Sequence, residues 1–370
     1  MDCSGAELVA RVRASVGAAL TRTRLIEAAD PIIVAVSGGA DSLCLLDAVA
    51  ALVPRAEHRL VVAYVDHRLR PESAADAEHV RGIAAALGLR AETVTVDVPS
   101  IMAGERRGLE EAARLGRYRA LRDLGARLGA AAVVTGHTRD DSIETVLMHL
   151  LRGSGRTGLG GIAEEERMGG LFNEADADAP WGRGHAGGDD AGWKPALPGL
   201  SLVRPLLRIR RAETTDYCDA RGIRWLVDPT NADPSMLRNR VRGHLLPVLR
   251  TYNPAIDDAL DRLARLTRDE EQPLDALADE RYRHLAREGG GLAELDLSGW
   301  RATPGALQRR IVRRIAAEAG LSDIGFEAVE RALAVGTEGG PPRAELGNGL
   351  VVERRRDRLR FYDRQREGTL

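Results

Sequence analysis

The chain has 370 residues, 44% of them hydrophobic and 29% charged, with a formal net charge of −2. That length allows two or three domains with at least one sizeable core, in an ordinary globular composition. No run of about 18 apolar residues exists to cross a membrane, and the opening residues MDCSGAELVARVRASVG lack the apolar stretch of a secretory signal.

In chain order, residues 6–28 read as an amphipathic helix with Leu8, Val12, Val16 and Leu20 on one side. Residues 32–36, IIVAV, are a short β-branched run suited to a strand buried on both faces. Ser37-Gly38-Gly39-Ala40-Asp41-Ser42 follows, and then Leu43, Leu46, Ala50 and Val53 at helical spacing. A strand, a glycine turn and a helix start make an anion site. The glycines let the backbone approach a phosphate, and the free N–H groups and helix dipole point at it. The lysine-type phosphate loop is excluded, because it needs G-x-x-x-x-G-K-[ST] and Lys194 is the only lysine in the chain.

Residues 60–65 read as a second buried strand ending in Asp66-His67. A helix is expected over 73–87, a strand over 91–98, a long helix over 109–128, a strand over 131–135 and a helix over 140–151. This alternation predicts an α/β fold: an open parallel sheet with helices on both faces and ligands beyond the carboxyl ends of its strands. The loop at 37–42, Asp66-His67 and Gly136-His137 all fall at such ends. Residues 163–200, acidic and rich in Gly, Ala and Pro, read as a flexible insertion. Helices are expected over 211–220, 234–249, 255–286, 308–319 and 326–335, and short strands over 343–362. The expected organisation is a domain over 1–250, a helical linker over 251–290 and a small α+β domain over 291–370.

Three features carry chemistry. His137 and Asp141 lie four apart at a helix start and can face one ligand; Asp141 with Glu144 also fits a capping-box spacing. Arg114 and Tyr118 share a helix face with Arg117 close by, where arginines can neutralise charge building on a phosphate. Carboxylates beside a triphosphate hold Mg²⁺, so Asp141 and Asp41 are candidate ligands, Asp41 being alternatively a brace of its own loop. Between Arg204 and Arg250 stand ten arginines against five acidic residues, the local basic excess of the chain. Cys3, Cys44 and Cys218 are far apart and form no C-x-x-C pair. No disulfide framework or cysteine-ligated cluster is expected, and the cytoplasm is the expected compartment.

The loop resembles the SGGxDS signature of the PP-loop ATP pyrophosphatases. Five blocks together resemble the tRNA(Ile)-lysidine synthetases: VSGGADS at 36–42, VDHRLRPES at 65–73, GLEEAARLGRY at 108–118, TGHTRDDSIETVLMHLLRGSGRTGLGG at 135–161, and RPLL at 204–207 with YCDARGIRWLVDPTNADPSMLRNRVRGHLLPVL at 217–249. They cover most of residues 31–250, the last two being the specific ones; the insertion at 164–199 departs from a compact link. The resemblance implies an adenine nucleotide alpha hydrolase-like fold, ATP and Mg²⁺. It also implies a reaction in which the C2 oxygen of the wobble cytidine of a CAU-anticodon tRNA(Ile) is adenylated and then displaced by the ε-amine of free L-lysine. On this reading Ser37, Gly38, Gly39, Ala40, Asp41, Ser42, Asp66 and His67 bind the nucleotide. His137, Asp141, Glu144, Arg114 and Arg117 surround the reacting atoms. Glu144 or Asp141 serves the lysine ammonium, and Arg238, Asn239, Arg240 and Arg242 meet tRNA. Arginines at every second helix position cannot all face one ligand. Oligomeric state is open, a homodimer being allowed. Two alternatives stand beside this: a tRNA thiolase of the same superfamily, and a non-catalytic nucleotide- or tRNA-binding protein.

Overall fold

The computed structural model describes residues 3–69, 73–105, 108–153, 156–168, 200–227, 233–287, 291–321 and 324–364. The chain divides into two compact units, the first running in the main to Arg265 and the second from Leu266 onward, a boundary inside the helix Ile256–Leu285.

The first unit is built on six strands: β1 (Ile32–Ala35), β2 (Leu60–Asp66), β3 (Arg90–Thr95), β4 (Ala132–Thr135), β5 (Glu165–Arg167) and β6 (Ser201–Val203). Their order is β3-β2-β1-β4-β6-β5. All neighbours pair in parallel except β5, which runs antiparallel to β6 at the edge. Because β2 and β4 flank β1 on opposite sides, the strand order reverses there. The crevice at such a switch point is where doubly wound sheets bind ligands.

Alternation in the strands sorts side chains to two faces. Ile32, Val34, Val62 and Val134 join Val12, Val16 and Leu20 of the helix Cys3–Arg22, Leu43 and Leu46 of Ala40–Leu52, and Tyr217 of Arg211–Arg221 in one core. On the other side Ile33 and Val133 are fully buried, and the helix Leu109–Leu128 packs on β2, β3 and β4 through Leu121 and Leu124. A separate apolar cluster joins Ile143, Val146 and Leu147 of the helix Arg139–Leu151 to Val241 and Leu246.

The second unit holds an antiparallel sheet of β7 (Ala286–Arg287), β8 (Ala293–Asp296), β9 (Arg343–Gly347), β10 (Leu350–Arg355) and β11 (Arg358–Asp363), ordered β7-β8-β11-β10-β9. Trp300, Ile315, Val329, Val352 and Phe361 fill its core.

Several expectations need correction. The first helix stops at Arg22, where a turn pairs Leu25 N with Leu20 O, rather than running to 28. The strand expected over 91–98 ends at Thr95, and Val98 already belongs to a helix, Val98–Glu105. The helix expected from 234 begins at Leu237; Pro234 stands in a turn, and a π turn at Val241–Leu245 interrupts the run to Tyr252. The insertion begins later than read, since residues 165–167 are strand β5; residues 169–199 lie outside the described residues, as do Asn231 and Arg70. β7 and β8 were not anticipated, being too short to show a period.

Candidate active site

The loop after β1 keeps its polar groups turned inward at one point and open at another. The Ser42 hydroxyl donates to Gly39 O (2.9 Å) and accepts from Ser37 N (3.1 Å), closing the turn on itself. Gly38 has φ +87°, its carbonyl accepts from Leu226 N (2.9 Å), and an added Cβ would stand 2.9 Å from Leu226 Cδ1. Gly39 is the N-cap of the helix Ala40–Leu52 and has no side chain to fill that place. Among the described residues the N–H groups of Gly38, Gly39, Ala40 and Asp41 find no acceptor, which is the donor array an anion needs. At the end of β4, a Cβ on Gly136 would lie 3.0 Å from the backbone of Asp41 and Ser42. Only glycine lets the end of β4 approach the start of the helix Ala40–Leu52 this closely.

The Asp141 carboxylate is held first by its own helix. Its Oδ2 accepts from Thr138 N (2.8 Å) and Thr138 Oγ1 (2.9 Å). The capping pair is therefore Thr138 with Asp141, correcting the Asp141–Glu144 pairing read from spacing. This frees Glu144 for another task. Arg211 joins the whole site: its Nη2 donates to Asp141 Oδ1 (2.6 Å), its Nη1 to Glu144 Oε1 (3.1 Å) and its Nε to Asp41 Oδ2 (3.3 Å). Thr214 Oγ1 donates to the other Asp41 oxygen, and Arg211 N donates to Asp140 (2.8 Å). Glu144, with a side chain 1% exposed, also accepts from Arg242 Nε (2.7 Å) and Nη2 (3.0 Å) and lies 3.6 Å from Arg238 Nε. Three carboxylates thus converge on one cation, and the guanidinium of Arg211 stands there.

The electrostatics follow from this packing. Burial alone would raise Asp141, but the Arg211 guanidinium and the hydrogen bonds from Thr138 outweigh it and hold the carboxyl below its ordinary range. Burial raises Asp41, partly offset by Thr214 and Arg211. His137 donates to or accepts from Thr135 Oγ1 through Nδ1 (2.8 Å). Burial, with Arg204, Arg117 and Arg238 nearby, pushes it down to about 3. His67, whose Nδ1 has no partner among the described residues, is pushed to about 4 by burial and Arg117. Both imidazoles are therefore neutral at pH 7.

Arg117 is exposed to solvent, and the protein around it lowers its pKa. It acts electrostatically on both His67 and His137, joining the ends of β2 and β4. Arg114 is exposed and stacks on the Tyr118 ring (5.6 Å). Asp66 Oδ1 accepts from Arg68 N (2.8 Å), bracing its own turn. The arginines of 238–242 separate as helix geometry requires. Arg238 and Arg242 face Glu144, Asn239 donates to Asp233 O (2.8 Å), and Arg240 is exposed with no ion-pair partner among the described residues.

Sequence reasoning missed Arg211 and Thr214. Arg211 was counted only within the basic window. The available signal was that Arg210 and Arg211 open a helix, where the dipole disfavours cations, so something acidic must face them. Arg204 is not a surface cation: it is 2% exposed and donates to Ala163 O (2.7 Å) and Glu166 (2.9 Å), holding β6 to the β5 segment. Behind the site Asp47 accepts from Tyr217 (2.6 Å), Arg13 (2.9 Å) and Arg221 (3.1 and 3.2 Å), tying three helices together.

Comparison with known proteins agrees with this geometry. A PP-loop domain model matches residues 13–249 and a TilS substrate binding domain model matches residues 295–360. A tRNA(Ile)-lysidine synthase of Salinispora tropica is 39% identical over 351 residues, covering 92% of this chain and 94% of that one. That of Gloeobacter violaceus is 38% identical, covering 76% and 75%. Among solved structures, a U34-tRNA thiolase from Methanococcus maripaludis shares the fold at TM-score 0.52 and 14% identity, covering 70% of this chain and 80% of that one. The thiolase reading lacks a nucleophile among the described residues. Burial raises the thiols of Cys44 and Cys218, the latter to about 12, and both are packed behind the loop. The phosphate loop, the His137/Asp141 strand end and the carboxyl-terminal match together place the chain in one family: it belongs to the tRNA(Ile)-lysidine synthases.

Proposed function

We propose a division of labour among the residues of this ATP-using, tRNA-modifying carbon–nitrogen ligase. The reaction joins the ε-amine of free L-lysine to C2 of the wobble cytidine in a CAU-anticodon tRNA(Ile), through an adenylated C2 oxygen, with release of AMP and pyrophosphate. The observation that carries the reading is the meeting of the open loop N–H groups and the Asp41/Asp141/Glu144 cluster at one switch point, Asp41 belonging to both.

On this reading the N–H groups of Gly38 to Asp41 bind the pyrophosphate end of ATP, with Ser37 and Ser42 keeping the turn closed. Asp66 and His67 line the nucleotide side. Arg117, with Arg114 behind it, faces negative charge building on the α-phosphate. The described residues offer no group of three ligand side chains for a metal, but the hard carboxylate oxygens of Asp41 beside the loop suit a divalent ion, and Asp41 would hold Mg²⁺ with phosphate oxygens completing its shell. When bound, that ion would neutralise the leaving pyrophosphate. Neutral His137 can accept a hydrogen bond without adding charge beside the base. Asp141 is assigned the lysine ammonium, while Glu144 keeps Arg242 and Arg238 in place. A cytoplasmic setting and a homodimer belong to the same reading, the latter read by sedimentation.

The test is AMP release by the purified chain with Mg-ATP and lysine, using unmodified tRNA(Ile) bearing CAU and a methionine tRNA as control. AMP formed only with the isoleucine tRNA and lysine is expected. AMP formed without lysine would reopen the nucleophile, and none with either tRNA would refute the reaction.

A further inference from the structure

The run from Leu237 to Tyr252 presents two different faces. Arg238 and Arg242, four apart, turn to Glu144. Beside them Leu237, Val241, His244 and Val248, with Leu151 from the end of Arg139–Leu151, line an apolar groove of ≈ 310 Å³ at whose edge Arg240 stands. Leu151 is 58% exposed and Val248 52%, an unusual state for aliphatic side chains grouped in one concavity. Tyr252, a turn further on, exposes 85% of its surface.

Two features connect this groove to the site. Glu144 and Leu151 are seven residues apart, hence on one stripe of the same helix and about 10 Å apart along its axis. The π turn at Val241–Leu245, in which Leu246 N donates to Val241 O, shifts the helical phase between the two faces, a distortion frequent at functional sites. The groove carries no acidic lining residue, whereas Arg240, exposed and without an ion-pair partner among the described residues, and His244 stand on it. An apolar slot edged by unpaired basic groups is complementary to an unstacked nucleotide, base inward and phosphate at the edge, and not to a basic or purely apolar partner.

We propose that this groove receives a base of the substrate RNA adjacent to the modified cytidine, with Arg240 on its phosphate. The inference rests on the tRNA substrate of the reading above. Taking one loop base out of its stack uncovers a face of each neighbour, and a flanking base that turns out with it needs an apolar surface of its own.

The experiment compares wild type with Val248→Asp and Leu151→Asp, both at exposed positions so that folding is preserved. RNA affinity is measured for the full tRNA and for an anticodon stem-loop with an abasic site next to the target cytidine. In wild type the abasic RNA should bind about tenfold more weakly, the scale of one stacked base. In each variant the intact RNA should weaken by about as much, and the abasic site should then cost nothing further, because both changes remove one contact. The affinity for ATP alone should not move. Arg240→Ala should lower the slope of log affinity against log salt by about one. Variants that keep the full wild-type penalty for the abasic site overturn the proposal. So does a wild-type dimer that Val248→Asp turns to monomer with RNA affinity intact, which would make the groove a subunit interface. Failure of wild type to bind the tRNA at all would instead refute the substrate assignment.

Discussion

Glu144 offers the sharpest test of how the site is assembled. It accepts three hydrogen bonds of 2.7–3.1 Å from Arg242 and Arg211 with only 1% of its side chain exposed. Glu144→Gln keeps the shape, removes the charge and turns an NH₂ group toward a guanidinium. Breaking a fully buried pair costs about 3–5 kcal/mol. Here, however, the side chains of Arg211 and Arg242 are 28% and 32% exposed. They can turn partly to water, which brings the expected loss to about 2 kcal/mol. For a unit of this size that corresponds to a fall of roughly 4–8 °C in Tm, read by thermal unfolding followed by circular dichroism. The same variant should lower kcat, because Arg211 loses one of its three carboxylates, while leaving the KM for lysine within about threefold. An unchanged Tm with a lysine KM raised tenfold or more would refute the argument and make Glu144 the lysine carboxylate.

Gly136→Ala should weaken ATP binding by about tenfold and lower stability by about 1–2 kcal/mol, since its Cβ would press on the backbone of Asp41 and Ser42; an isothermal titration matching wild type would contradict this. Asp47→Asn should destabilise the first unit by about 2–3 kcal/mol, because Tyr217, Arg13 and Arg221 would lose a buried anion; a urea midpoint equal to that of wild type would show the network to be dispensable. Acid should destabilise the fold through His67 and His137. Their folded pKa values, about 4 and about 3, lie below the ordinary 6.5, so the unfolded chain takes up more protons as pH falls. Their contribution is therefore complete above pH 6.5 and lost progressively toward pH 4. The double variant His67→Gln/His137→Gln should show a smaller drop in Tm between pH 6.5 and 4.5, and an equal drop would refute the linkage.

Much of the site was legible because its parts are local. The strand, glycine turn and helix of residues 32–52 announce themselves in one unbroken stretch, and Gly38 and Gly136 stand where φ or close approach demands glycine. The helix over 109–128 matches its apolar spacing to the residue. Boundaries failed where a competing local interaction won: the π turn at 241–245, and the Val98–Glu105 helix whose start read as the continuation of β3. The short strands β5 and β7 stayed hidden because three or two residues carry no period.

The sequence by itself determined the α/β fold, the anion-binding loop and the family, since each is written in short-range spacing that any neighbour in the chain can read. Only the tertiary structure decided how the charges are shared. Arg211 reaches Asp41 across 170 positions and Glu144 across 67, and Arg242 reaches Glu144 across 98. Ten arginines in one window look alike on paper. Burial and strand order then made Arg204 a fastener of β6 and Arg211 the centre of the carboxylates, and helical phase left Arg240 open to solvent. Coulomb energy depends on distance and dielectric, and neither exists until the strands have been ordered and the helices packed.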